Sequence, residues 1–448
     1  MSRDSDLTRK PIPTLIRAIA VPASIGFFFN TMYNVVDTYY GGQLSTDALA
    51  ALSLSFPVFF MIIALGSGIA TGTTALISNA IGEGDRQKVF DYIGQAISFT
   101  ILLGIAMTVV GLLASPGLFK ILGAGDQYLA LGLSYMNVIL LGTVFFLLIY
   151  TFNAILNAQG DARTFRNYLI GGFFLNIILD PWFMYGGFGI PEMGLPGVAW
   201  ATVLIQFLGT LYVGFRAAAS ELFCTDCLKK LVPKKAAYIE LAAQGIPASL
   251  NMMTIAVGVF VITYFISVFG KESVAAYGIA TRIEQIALLP SFGLTTAALT
   301  IVGQNNGAKK FDRVRETVNK SILYGISIMT VGTVGVFCFT NPLMGIFTTD
   351  PVVISIGATY LGIAAFIFQA YIILYVSVSC LQGMKKPLYA IWVGLYRQIA
   401  APLLIFFGLV HLMGLGIVSV FWGIFGITWS AALFTLWYAR RTIDSIRT

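Results

Sequence analysis

The sequence predicts an all-α polytopic membrane protein, with twelve transmembrane helices in two six-helix bundles related by a pseudo-twofold axis along the membrane normal. Composition is the first reason. Hydrophobic residues make up 57% of the 448 and charged residues 10%, against about 25% charged in soluble domains, and mean hydropathy is +0.84. The second is a one-sided distribution of Lys and Arg. The third is an internal repeat in constant register, in which Pro22 falls on Pro247.

Apolar runs broken by Gly, Pro and charge place spans at about 14–40, 48–78, 90–114, 127–156, 166–185 and 194–216. After a basic loop they continue at about 236–268, 273–303, 317–340, 352–380, 388–410 and 414–438. Residues 1–216 form an N-lobe, 217–235 a cytoplasmic inter-lobe loop and 236–448 a C-lobe. With the N-terminus inside, one face collects 23 Lys and Arg, the other keeps only Lys120 and Lys271, and Arg282 and Arg397 fall within spans. Both termini are therefore expected in the cytoplasm of an inner membrane protein. The basic residues of the N-terminus precede an apolar run that is long and lacks a cleavage site, so it reads as an uncleaved first span.

The repeat superposes Val21-Pro-Ala-Ser24 on Ile246-Pro-Ala-Ser249, Gly82 on Gly307, Tyr135 on Tyr360 and Tyr150 on Tyr375. Six spans per half is even, so both halves enter the membrane in the same sense. Each half opens with a helix carrying proline in its first third, Pro22 and Pro247. Proline removes one helical hydrogen bond, which makes Pro22 a candidate hinge in the first span.

Several chemistries are disfavoured. A net charge of +7 would suggest nucleic acid in a soluble protein, but here the basic residues lie in loops and report topology. Cys224 and Cys227 stand near no second pair, and the single histidine, His411, is remote, so no zinc site is expected. An intramembrane enzyme would need a nucleophile with a base, or a metal, and neither is evident.

The polar groups inside the spans carry the function. In the first span Asn30, Asn34 and Asp37 fall at i, i+4 and i+7, forming one polar stripe bordered by Tyr33. A charge inside the bilayer costs about 2.5 to 3.5 kcal/mol and by default marks an ion or substrate path. In the fifth span Asn176 and Asp180 share a face, followed by Pro181. Asp37 and Asp180 lie at similar depth, roughly 6 to 9 Å inside the outer boundary, with Thr202 and Tyr135 at compatible depths and Asn153 deeper. Two acids sharing such a site suit a proton, and the surrounding oxygens suit a bare cation. Neither is chosen by the residues alone. In the eighth span Arg282 and Glu284 face different ways and each needs a partner elsewhere, while Arg397 is expected near the inner part of its span, snorkelling toward the cytoplasm. Tyr33, Met32, Met61, Met252 and Phe292 offer bulky, adaptable surface for flat cationic ligands.

The stretches NTMYNVVDTYYGGQLSTDALAALSLSFPV and GIATGTTALISNAIGEGDRQKV, the echo at 273–314, and LNAQGDARTF with NIILDP resemble the multidrug and toxic compound extrusion (MATE) transporters, in particular their DinF-like branch. The resemblance implies a cleft between two lobes and export of organic cations or amphipathic drugs in exchange for protons or sodium. It implies no other cofactor, and a monomer in lipid. Asp37, Asn176, Asp180 and Thr202 are then the positions for a coupling proton or Na+. Relatives of the NorM branch carry acids in the seventh and tenth spans, which this sequence lacks; that favours coupling in the N-lobe. A lipid-linked oligosaccharide flippase of the same superfamily is the alternative.

Overall fold

The computed structural model describes residues 7–121, 126–223, 227 and 229–447. Cys224 lies outside them. Among the described residues the chain is helical, and the only extended pairing is one antiparallel bridge, Gly187 with Ile190. Among the described residues ten helices are long and apolar enough to cross a membrane, and two bent pairs, each taken as one span, bring the number to twelve.

The expected spans hold, but two of them are not straight. The fourth breaks at Gly142 into Leu129–Leu141 and Thr143–Ala158, 45° apart; the eighth breaks into Lys271–Ala287 and Leu289–Gly307, 46° apart. Pro290 explains the second break, because it cannot donate within the helix and sits in the first turn of the second piece. At Gly142 a side chain would collide with Val203, its Cβ only 2.5 Å from Cγ2, so close packing with the sixth span holds the corner. In the tenth span the equivalent point of the repeat is a 3-10 turn at Ala365–Ile367. The eleventh span, Leu388–Leu412, contains two π-helical segments, Tyr396–Ala400 and Phe407–Leu412. Pro402 has no N–H for the Gln398 carbonyl, and the first π turn lies just before it.

The chain divides into two compact units, but not at the central loop. One contains Ile25–Ser249, the other Asp6–Ser24 with Leu250–Thr448. Each boundary cuts through a continuous helix, Ile12–Leu44 or Lys235–Ser267, two residues after its proline, Pro22 or Pro247. The first part of each helix therefore belongs with the other repeat.

Glycine makes this possible. In the first unit a Cβ on Gly68 would lie 2.0 Å from Ser249 Oγ and 2.4 Å from Ser249 N. In the second a Cβ on Gly293 would lie 2.1 Å from Ser24 Oγ and 2.3 Å from the Ala20 carbonyl. The serine hydroxyls donate to matching carbonyls, Ser249 to Leu65 at 3.5 Å and Ser24 to Pro290 at 3.4 Å. All three pairs, Gly68 with Gly293, Ser24 with Ser249 and Leu65 with Pro290, stand in the register of the repeat. The repeated Pro-Ala-Ser motif thus has a packing reason: its serine is small enough to seat the helix backbone on a glycine.

The segments leading into these helices are tied down in the same crossed sense. Arg313 donates to the carbonyls of Leu7 (3.2 Å) and Lys10 (2.6 Å), and Lys310 to Thr8 (2.9 Å). In the first unit Gln95 donates to the carbonyls of Lys230 and Val232 and accepts from Lys234 N, while Asp91 pairs with Lys230 at 3.1 Å and Lys234 at 3.2 Å.

Gly68→Ala and Gly293→Ala are each expected to destabilise the protein by about 1–3 kcal/mol through overpacking. Gly335→Ala, whose Cβ meets nothing within 4 Å, should leave stability unchanged or slightly raised. Thermal unfolding in detergent checks this.

Candidate functional site

The first unit holds a buried polar cluster in an otherwise apolar core. The first span brings Tyr33 and Asp37, the fifth Asn176 and Asp180, the sixth Thr202 and the fourth Tyr135. Asn176 Nδ2 donates to Asp37 Oδ1 at 2.8 Å. Asp37 and Asp180 lie close enough to interact electrostatically, and Asn176 stands beside both. Thr202 sits beside the Tyr33 hydroxyl, and Tyr135 is close enough to feel both acids. Asn176 and Asp180 are fully buried, at 0% exposure, and Thr202 nearly so at 2%.

The helices aim these groups inward for local reasons. Asn176 and Asp180 are one helical turn apart and share the buried stripe that also holds Gly172 and Leu179. Gly26 keeps the first and fifth spans close, since a Cβ there would approach Leu169 Cδ1 at 3.1 Å, and Gly172 does the same between the fifth and sixth, its Cβ 3.3 Å from Ile205 Cγ2. The Tyr40 hydroxyl adds a crossing hydrogen bond to the Ile177 carbonyl at 3.3 Å.

What the cluster lacks matters as much. Both Asp180 oxygens, Asn176 Oδ1, Tyr33 Oη and Thr202 Oγ1 are buried without a hydrogen-bond partner among the described residues. Buried polar atoms are normally paired, and leaving one unpaired costs about 1–3 kcal/mol. Five orphaned oxygens around two acids form an acceptor-rich cradle short of positive charge. It fits a proton or a small cation.

The other sequence candidates divide. Asn34 is not part of the cluster: it is exposed, and its Nδ2 donates to the Asn30 carbonyl of its own helix at 2.9 Å. Asn153 is buried with an unpaired Oδ1 but makes no hydrogen bond to either acid. Pro22 is buried within an unbroken helix. Met61 is exposed, Met32 and Met252 are half-buried, and Phe292 is exposed and stacked on Tyr375 at 6.2 Å between ring centroids.

In the second unit Arg282 is exposed while Glu284 is buried and accepts from the Tyr360 hydroxyl at 2.7 Å. Arg397 does not snorkel to an edge. It lies about nine residues, or ~13 Å, into its 25-residue span, its guanidinium over the rings of Tyr371 at 5.3 Å and Tyr375 at 6.0 Å. Sequence reasoning gives the three tyrosines no role, because Tyr in an aromatic-rich span carries no signal until a charge is seen beside it.

The sequence model of the MatE family matches residues 22–182 and again 247–407. The chain belongs to the MatE family. The two matches are offset in the same register as the repeat, and members of the family are transporters, not enzymes. This MatE transporter is 30% identical over 361 residues to a probable multidrug resistance protein, NorM, of Thermotoga maritima, covering 78% of this chain and 76% of that one. It is 28% identical over 313 residues to the probable multidrug resistance protein YoeA of Bacillus subtilis, covering 69% and 68%. A transporter structure of the MOP superfamily from Pyrococcus furiosus superposes with a TM-score of 0.93 at 24% identity, over 100% of this chain and 99% of the other, and establishes the shared fold.

Asn176→Ala would leave Asp37 with no amide donor. It should lower stability by about 1–3 kcal/mol, whereas Asn34→Ala, at an exposed site, should stay within about 0.5 kcal/mol. Paired melting curves decide.

Proposed function

We propose that this protein is a secondary active antiporter that exports organic cations and amphipathic drugs in exchange for a proton or a sodium ion bound at Asp37 and Asp180. The observation that carries the reading is the pair of carboxyls side by side, served by one amide and ringed by unpaired oxygens. A proton shared between the acids would supply a donor. A sodium ion would draw on Asp37, Asp180, Asn176 Oδ1 and Thr202 Oγ1, oxygen ligands suited to a hard cation. Each inward charge gains about 2.3 kcal/mol per 100 mV, so either ion can drive export.

Membership of a transporter family and similarity to two proteins named for multidrug resistance support the drug-export half of the reading. The placement of Lys and Arg supports an inner membrane protein with both termini in the cytoplasm. Pro22 supports a hinge: it falls two residues before the point where the first span passes between units, and the same helix carries Asp37 four turns further on. Loading of the acids and binding of drug are then mutually unfavourable, a coupling of about 1–3 kcal/mol.

Ethidium uptake into everted vesicles under separately imposed pH and sodium gradients tests this. The wild type should respond to one gradient. Asp37→Asn and Asp180→Asn should each cut gradient-driven uptake at least about tenfold while remaining monodisperse. A folded Asp37→Asn protein that still drives uptake against a concentration gradient refutes the proposal.

A further inference from the structure

The last span of the second unit ends in a basic pair that the last span of the first unit does not repeat. The twelfth span runs Ile417–Arg447, and Trp437 stands 20 residues, or ~30 Å, beyond its start. A bilayer's hydrocarbon core is about as thick, so Trp437 falls at one interface. Arg440 and Arg441 lie ~5 Å further along the helix, at the level of the headgroups. Leu433 and Leu436 precede Trp437, on its hydrocarbon side.

These residues border one groove of ≈ 400 Å³, lined by Leu433, Leu436, Trp437, Arg440, Arg441 and Asp444. Its two ends differ: leucines face the hydrocarbon level and arginines the headgroup level, the polarity of a phospholipid lying along the helix. The Arg441 guanidinium rests over the Trp437 ring, 5.4 Å from its centroid, and Phe434 packs against the same ring at 5.4 Å. Cation-π attraction thus holds one cation at the interface. The acid of the groove does not neutralise the pair. Asp444 is engaged by Arg315 of the ninth span at 3.4 Å, and among the described residues no carboxylate lies within ion-pair distance of Arg440 or Arg441. Arg315, Arg440 and Arg441 against Asp444 leave a surplus of two positive charges.

Arginine at a span end is by default a topology signal. That accounts for a residue such as Arg216, the one basic group in the last turn of the sixth span. It does not account for two adjacent arginines beside a groove with one apolar end. The side chains around that end are open, Leu433 at 55%, Phe434 at 58% and Trp437 at 50% exposure. In a membrane this surface is covered by lipid, so the occupant of the groove is a lipid and charge decides which one. The planar forks of arginine match the oxygens of a phosphate, and a surplus of positive charge favours a headgroup with no cation of its own.

We propose that this groove is a binding site for an anionic phospholipid, whose phosphate is held by Arg440 and Arg441 and whose acyl chains lie along Leu433 and Leu436. Its place in the inner leaflet rests on the topology proposed above, whereas binding itself needs neither an ion gradient nor a drug.

The test is native mass spectrometry of the purified full-length protein, titrated with 1-palmitoyl-2-oleoyl phosphatidylglycerol or with its phosphatidylcholine counterpart. The wild type should bind the first phosphatidylglycerol at least about tenfold more tightly than phosphatidylcholine. Arg440→Gln combined with Arg441→Gln should reduce that preference to within about twofold. Arg216→Gln, which removes a charge from the edge of the other unit, should leave it unchanged. Glycerol 3-phosphate, a phosphate without acyl chains, should form no adduct at the same concentration. Equal binding of the two lipids by the wild type overturns the inference. So does a preference that survives the double substitution, one that falls as far in Arg216→Gln, or retention of glycerol 3-phosphate equal to that of the lipid. Should the double variant not fold, Arg440→Gln alone decides: a preference cut at least about threefold supports the site, and an unchanged preference overturns it.

Discussion

A single amide cannot satisfy two carboxylates, and the first unit is built around that shortage. Asn176 gives one hydrogen bond to Asp37, while Asp180, fully buried beside it, has none among the described residues. Two ionised acids at this separation repel, and hydrocarbon offers no water to screen them. The cluster is therefore most stable when something positive occupies it. That is the condition a coupling site must meet, because a site content when empty would have no reason to take up an ion.

The surrounding packing makes the condition hard to escape. Asp37 comes from the first span and Asp180 from the fifth, and Gly26 brings those helices near enough that the acids stay together. The Tyr40 hydroxyl on the Ile177 carbonyl adds a second tie along the same crossing. Relief by simple separation would require this contact to open, which links occupancy of the acids to the geometry of the first span.

Much of this is legible in the residues. Charge inside an apolar run, and the i, i+4 pair in the fifth span, pick out Asp37, Asn176 and Asp180, and equal depth suggests that they meet. Asn34 misleads because helical spacing places a side chain on a face but does not choose its partner; a short amide near the edge can turn back on its own helix. The bend at Gly142 has no proline to announce it and depends on Val203 from a distant span. Arg397 stands at the depth its place in the span implies but does not turn to the cytoplasmic edge, because the Tyr371 and Tyr375 rings that hold it come from the tenth span and are not signalled beside it in the sequence. The repeat is visible as a constant register, yet nothing in the residues alone tells which repeat each half-helix joins.

The crossed packing of Ser24 on Gly293 and Ser249 on Gly68 bears on how such a molecule can be assembled. Neither compact unit is a contiguous stretch of chain, so cutting the basic loop would give two fragments that each carry the other's opening half-helix. In a half-length progenitor the same exchange would join two identical subunits, each lending its first helical turns to its twin. Fusing the genes of such a pair would leave the swap intact and let the two copies drift in chemistry, acids retained in one and an arginine among aromatic rings in the other, without disturbing the scaffold they share.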